Sequence, residues 1–169
     1  MLRTVATVLR SLALTTLLLC GATSAADLKL PTELAAQAET SMSTAVDYFL
    51  GSQADNGSWA KHPAVTSLAC TALAKSPRAE EEAVQAAIHR GLDFALSFRQ
   101  PNGSIWVKGE EYPNYTTAIT LLALATVRRE QDLGAMHAAR GYLMDSQVRN
   151  IPKKNPFYGG IGYARRLRT

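Results

Sequence analysis

AVDYFLGSQADNGSW, residues 45 to 59, is written again at residues 91 to 106 as GLDFALSFRQPNGSIW. In both stretches a small residue, an aliphatic, Asp and an aromatic lead into Asn-Gly-Ser and a tryptophan. The two glycines, Gly57 and Gly103, stand 46 residues apart. Each copy is followed by a proline and a second apolar run, PAVTSLACTAL from Pro63 and PNYTTAITLLAL from Pro113. A period in this range marks stacked supersecondary units, so each unit is expected to be a hairpin of two helices. Gly141, Tyr142, Leu143, Ser146 and Gln147 open a third copy, the last of them 94 residues after Gln53.

The two helices of a hairpin differ in pattern. From Glu33 to about Gln53, Ala38, Met42, Ala45, Val46, Phe49 and Leu50 recur at spacings of three and four, which predicts an amphipathic helix. From Pro63 to Ala74 the apolar residues fall on nearly every side, which predicts a buried helix. The alternation repeats, with an outer helix over about 79–98, an inner one over about 114–128 and a third outer helix over 134–147. Asp55-Asn56-Gly57 and Asn102-Gly103 supply the residues that tolerate positive φ and reverse the chain. Glu80, Glu81 and Glu82 are expected to load the first turn of the third helix, and Arg128 and Arg129 the last turn of the fourth, each matching its dipole end. Trp106 lies one place later than Trp59 predicts, so the second turn is expected to slip by one residue.

The ends of the chain carry a different signal. Arg3 and Arg10, the apolar run Leu12 to Leu19 and Ser24-Ala25-Ala26 form the pattern of a cleavable export signal over residues 1–26. The apolar run is shorter than the roughly 20 residues of a spanning helix. The mature chain is therefore expected to be secreted or periplasmic with no membrane span, and Leu19 before Cys20 argues against a lipid anchor. Residues 27–32 form a short lead, 33–149 the repeat helices, and 150–169 a glycine-rich, basic tail. From Arg140 onward seven basic residues face Asp145 alone, a net of +6. No nucleic-acid motif accompanies them, so the tail reads as solvated. Cys70 alone remains after residue 26, which excludes an internal disulfide, and its apolar neighbours predict a small buried hydrophobe.

Gln53-Ala-Asp-Asn-Gly57-Ser-Trp59 resembles the glutamine-tryptophan turn of the terpene cyclase and protein prenyltransferase repeat, the type found in squalene-hopene cyclases. Arg99 and Ile105 depart from it in the second copy. Tyr158-Gly-Gly-Ile-Gly-Tyr163 is similar to the glycine-rich turn of exported bacterial members. The resemblance implies an all-α fold, an α/α toroid built from helical hairpins, of which this chain holds an incomplete arc of about two and a half repeats. It also implies that Gln53, Gly57, Trp59, Gly103 and Trp106 are structural staples.

No catalytic residue, metal set or cofactor is assigned from the sequence. The Asp-x-Asp-Asp acid motif of the cyclases is missing, Cys70 has Leu68 where a zinc set of the prenyltransferase kind has Asp, and His62, His89 and His137 lack ligand spacing. Asn56, Asn102 and Asn114 are sequons, two of them part of the Asn-Gly-Ser turn. Candidate ligand contacts are the residues that open the inner helices at a cavity mouth: His62, Thr66, Tyr112, Tyr115 and Thr116. The reading is an exported, non-catalytic repeat protein that binds an apolar small molecule or a protein partner, with no nucleic acid. The alternatives are a cyclase-like or prenyltransferase-like enzyme whose catalytic part lies outside this chain, and an arc that self-associates through its unpaired third repeat.

Overall fold

A computed structural model describes residues 31–163. The export pattern, Cys20, most of the lead and the basic residues after Tyr163 lie outside the described residues. The chain divides into two units, Met1–Ala36 and Gln37–Thr169, and the core lies in the second.

The fold is all-α. Among the described residues five α-helices follow in order: α1 (Thr32–Ser52), α2 (Pro63–Ala74), α3 (Glu82–Leu96), α4 (Pro113–Val127) and α5 (Leu133–Asp145), with a 3₁₀ turn at Glu130–Asp132 before α5. Among the described residues β pairing is confined to an isolated antiparallel bridge between Arg99 and Ile105. No helix of the described residues is long and apolar enough to cross a membrane.

Helix α2 is the hub. It packs against α3 and against α4, and α4 packs in turn against α5. The α2–α4 contact is close because small polar side chains fill it: Ser67, Thr116, Thr117 and Thr120 are buried, and the Ser67 hydroxyl donates to Thr120 Oγ1 at 3.0 Å. Leu73, Val84, Ile88, Leu92, Ile105 and Leu124 build the apolar core around it. Proline at the first position of both α2 and α4 presets the helical φ where no N–H is needed.

The inner helices are not buried on every side. Val65 and Leu68 of α2 are 42% and 44% exposed, and Tyr115 and Leu122 of α4 are 42% and 48% exposed. Each pair lies along one face at helical spacing, so an all-apolar helix here carries an uncovered apolar face, not a fully packed one. Helix α1 departs from expectation in the same direction. Val46 is its one buried residue among those described, Phe49 and Leu50 are half-buried, and Met42 and Ala45 of the expected apolar face are exposed.

Helix α3 begins later than the acidic run suggested. Residues 76–81 form turns, and the Arg78 guanidinium binds Glu81 at 2.7 Å and also Asp47 of α1. Glu81 thus answers Arg78, whose hydrogen bond holds its carboxyl below the usual range, and Glu82 alone of the three lies in the first turn. Arg128 ends α4 in the left-handed conformation, with φ 59°. Arg129 turns back to Asp132 at 2.7 Å and to Asp93 of α3 at 2.8 Å, with its side chain 8% exposed. It ties the α4–α5 corner to α3.

Candidate functional site

The two Asn-Gly-Ser turns carry the same hydrogen bonds. In the first, Gly57 N–H donates to Ala54 O, Ala54 N–H to Ser58 O, and Asn56 Oδ1 accepts from the Ser58 amide at 3.1 Å and its hydroxyl at 2.7 Å. In the second, Gly103, Gln100, Ser104 and Asn102 repeat every one of these bonds, again at 3.1 and 2.7 Å for the asparagine. An asparagine side chain that accepts from the amide two residues on is the local geometry of an Asx-turn. Beyond each turn the next residue is held by a buried threonine: Thr66 Oγ1 accepts from Trp59 N–H at 3.0 Å, and Thr117 Oγ1 from Ile105 N–H at 2.9 Å. The second turn therefore keeps register. Ile105, fully buried, fills the slot of Trp59, while Trp106 lies partly exposed beyond it, so the expected slip is corrected.

Each turn also docks on the following outer helix. Gly57, at φ 84°, lies against the Arg90 carbonyl of α3, and Gly103, at φ 86°, against the Ala138 carbonyl of α5. Gln53 adds a staple to the first turn: its side-chain amide donates to Gly57 O at 2.9 Å and to Ala87 O of α3 at 2.8 Å, and its Oε1 accepts from Arg90. The indole N–H of Trp59 donates to Phe49 O at 3.0 Å, closing the end of α1.

A third turn is present, and its spacing hid it in the sequence. Gln147 Nε2 donates to Gly159 O at 2.7 Å, Gly159 N–H to Val148 O at 2.7 Å and Val148 N–H to Gly160 O at 2.9 Å, with Gly159 at φ 82°. Gln147, Val148, Gly159 and Gly160 thus repeat Gln53, Ala54, Gly57 and Ser58, with residues 149–156 looped out between them. The segment over 150–163, expected to be a solvated tail, folds back on α4. Asn114 N–H donates to Tyr163 O at 3.0 Å and Asn114 Nδ2 to Gly162 O at 2.9 Å.

The five candidate contacts divide. Thr66 and Thr116 are buried, and Thr66 is committed to the backbone of Trp59. His62 caps α2, its Nδ1 accepting from Ala64 N–H at 3.1 Å while Nε2 meets Glu110 Oε2 at 3.0 Å. Tyr112 and Tyr115 are exposed and come together on the ring of Tyr163, at centroid distances of 6.0 and 6.1 Å.

Beside Tyr115 the returning segment leaves an open pocket of about 290 Å³, lined by Asn114, Tyr115, Ala118, Leu143, Ile161, Gly162 and Tyr163. Asn114 is 2% exposed, and its Oδ1 has no hydrogen-bond partner among the described residues. A buried acceptor left unpaired costs about 1–3 kcal/mol. Sequence reasoning took Asn114 only as a sequon and Ile161–Tyr163 only as a turn; no local pattern announces that the two meet. No group of His, Cys, Asp and Glu among the described residues has the arrangement of a metal site. No family model, curated protein or solved structure matches the chain.

Proposed function

We propose that this chain is an exported, non-catalytic α/α-toroid repeat protein that binds an apolar small molecule. The observation that carries the reading is the pocket between α4, α5 and the returning segment, lined by hydrocarbon, by the rings of Tyr115 and Tyr163 and by Asn114. Its volume suits a small ligand. Its lining offers an amide, phenols and hydrocarbon, with no carboxylate, imidazole or amine. The lining is mostly apolar, so binding would be strongest for molecules with a largely apolar body.

The toroid part of the reading rests on the alternation of helices and on the docking of each turn against the following outer helix. The uncovered faces of α2 and α4 are then the wall of the inner ring. Export rests on the pattern of residues 1–26; N-terminal sequencing of the secreted or periplasmic protein should begin near Asp27, and a start at Met1 would refute it.

The binding test uses N-phenylnaphthylamine, an apolar dye with a single N–H. Saturable fluorescence enhancement, weakened at least about tenfold by Ala118→Trp, which fills the pocket from an exposed helix position, is the expected result. Enhancement that never saturates, or that Ala118→Trp leaves unchanged, would refute the site.

A further inference from the structure

We propose that copies of this chain associate head to tail, the third turn of one docking on α1 of the next. This inference does not depend on the ligand pocket. Its template is the docking surface that the chain uses twice internally. The hydrogen bonds of the three turns align Ala54 with Gln100 and Val148, and the same alignment places Thr44 opposite Arg90 and Ala138. Those last two are the residues on whose carbonyls Gly57 and Gly103 rest.

The seats match in detail. On α3 the small residues Ala87 and Gly91 are buried under the preceding turn and inner helix, and on α5 Ala135 and Ala139 are buried in the same way. The aligned residues of α1 are Ser41 and Ala45, equally small and both exposed. Met42 beside them is exposed as well. At the other end, a Cβ built on Gly159 meets only Gln147 Nε2, at 3.7 Å, where Gly57 and Gly103 would strike a helix carbonyl at 2.5 and 2.4 Å. Gln147 spends one amide N–H on Gly159 O. In the first turn the Gln53 amide also reaches Ala87 O, and the aligned acceptor on α1 is Ser41 O. Among the described residues, α1 is therefore a seat without a turn and the third turn is a turn without a seat.

Charge favours the same occupant. Helix α1 holds no basic residue and carries Glu39, with Asp47 already bound to Arg78, while residues 146–163 hold Arg149, Lys153 and Lys154 and no acidic one. A second copy brings these together, and salt should weaken the contact. Head and tail are different surfaces, so the contact repeats until a ring closes or a filament grows.

The test uses the protein as recovered from an expressing culture, with mass read by light scattering across concentration. Ala45→Arg blocks the seat from an exposed helix position. Gly159→Asn blocks the turn, since asparagine tolerates positive φ and the space around this glycine is open. The wild type is expected to associate, each variant alone to remain monomeric, and an equimolar mixture of the two to form a one-to-one dimer and nothing larger. Ser41→Arg and the pair Lys153→Glu with Lys154→Glu should reproduce the two blocks if either first variant loses its helical circular dichroism. A wild type that is monomeric throughout its soluble range, variants that still associate, or a mixture that stays monomeric would overturn the proposal. The first of these is the outcome if another part of the same chain fills the seat.

Discussion

The Thr66 hydroxyl is spent on one residue: it accepts from the N–H of Trp59 at 3.0 Å and donates back to the carbonyl of Trp59 at 3.2 Å. Thr117 Oγ1 likewise accepts from Ile105 N–H at 2.9 Å, but its own proton has Pro113 O at 2.6 Å as a nearer acceptor than Ile105 O at 3.3 Å. Both threonines are fully buried on inner helices, so each ties the residue after a turn to the helix that follows it. Thr66→Val keeps the shape and strands a buried N–H and carbonyl, and should destabilise by about 1–3 kcal/mol. Thr66→Ser keeps the hydroxyl and should recover most of that loss. Urea unfolding followed by circular dichroism measures both, and a neutral Thr66→Val would show that the turn closes without its threonine.

The glycines separate into two groups. A Cβ on Gly57 or Gly103 would stand 2.5 or 2.4 Å from a helix carbonyl, at a backbone φ of 84° or 86°. Gly57→Ala should therefore cost more than about 3 kcal/mol, from the positive φ and from displacement of α3. Gly141 is in the interior of α5, with nothing within 4 Å of its added Cβ. Gly141→Ala should stabilise by about 0.5–1 kcal/mol. Thermal melts of the two variants should move in opposite directions.

The first and third turns carry a glutamine staple, Gln53 and Gln147, and the second carries Arg99 in its place. Gln53→Ala removes bonds to Gly57 O and Ala87 O and releases Arg90, and should cost about 1–2 kcal/mol. Arg99 holds the matching place in the second turn, is exposed, and lends no side-chain hydrogen bond to that turn among the described residues. Arg99→Ala should lie within about 0.5 kcal/mol of wild type. Equal losses in the two variants would mean that the turns are held alike.

The helices were legible because the repeat announces itself twice with the same glycine and the same following proline. The limits of α2 follow from Pro63 and the apolar run alone. What the sequence concealed was register and contact. Trp106 drew attention away from Ile105 because a tryptophan is a stronger mark than an isoleucine, yet the threonine bonds put Ile105 in the slot. The third turn was hidden by the looped-out residues 149–156, which break the period without breaking the hydrogen bonds. The pocket depends on Asn114 meeting Gly162 and Tyr163, a contact across 48 residues in the case of Gly162 that no periodicity encodes. The apolar faces of α2 and α4 were read as buried because hydrophobic content says nothing about how many sides have a neighbour.

Cys70 gives the last prediction. Its side chain is fully buried, with Sγ 3.6 Å from Ile88 O and packed where Gly91 leaves room for it. Burial pushes the thiol up from its ordinary 9.0 to about 12, against a smaller downward pull from Arg129. The folded protein thus holds a proton that the unfolded chain gives up, so stability is intact below about pH 9 and falls as the pH rises from there toward about 12. Cys70→Ala removes that slope while costing a little packing at every pH, so the curves of the two proteins should converge in strong alkali. The native thiol should also resist a disulfide reagent in mildly alkaline buffer and react fully once urea unfolds the chain. Rapid labelling of the folded protein would show that the α2–α3 contact opens far more often than a core around a buried thiol allows.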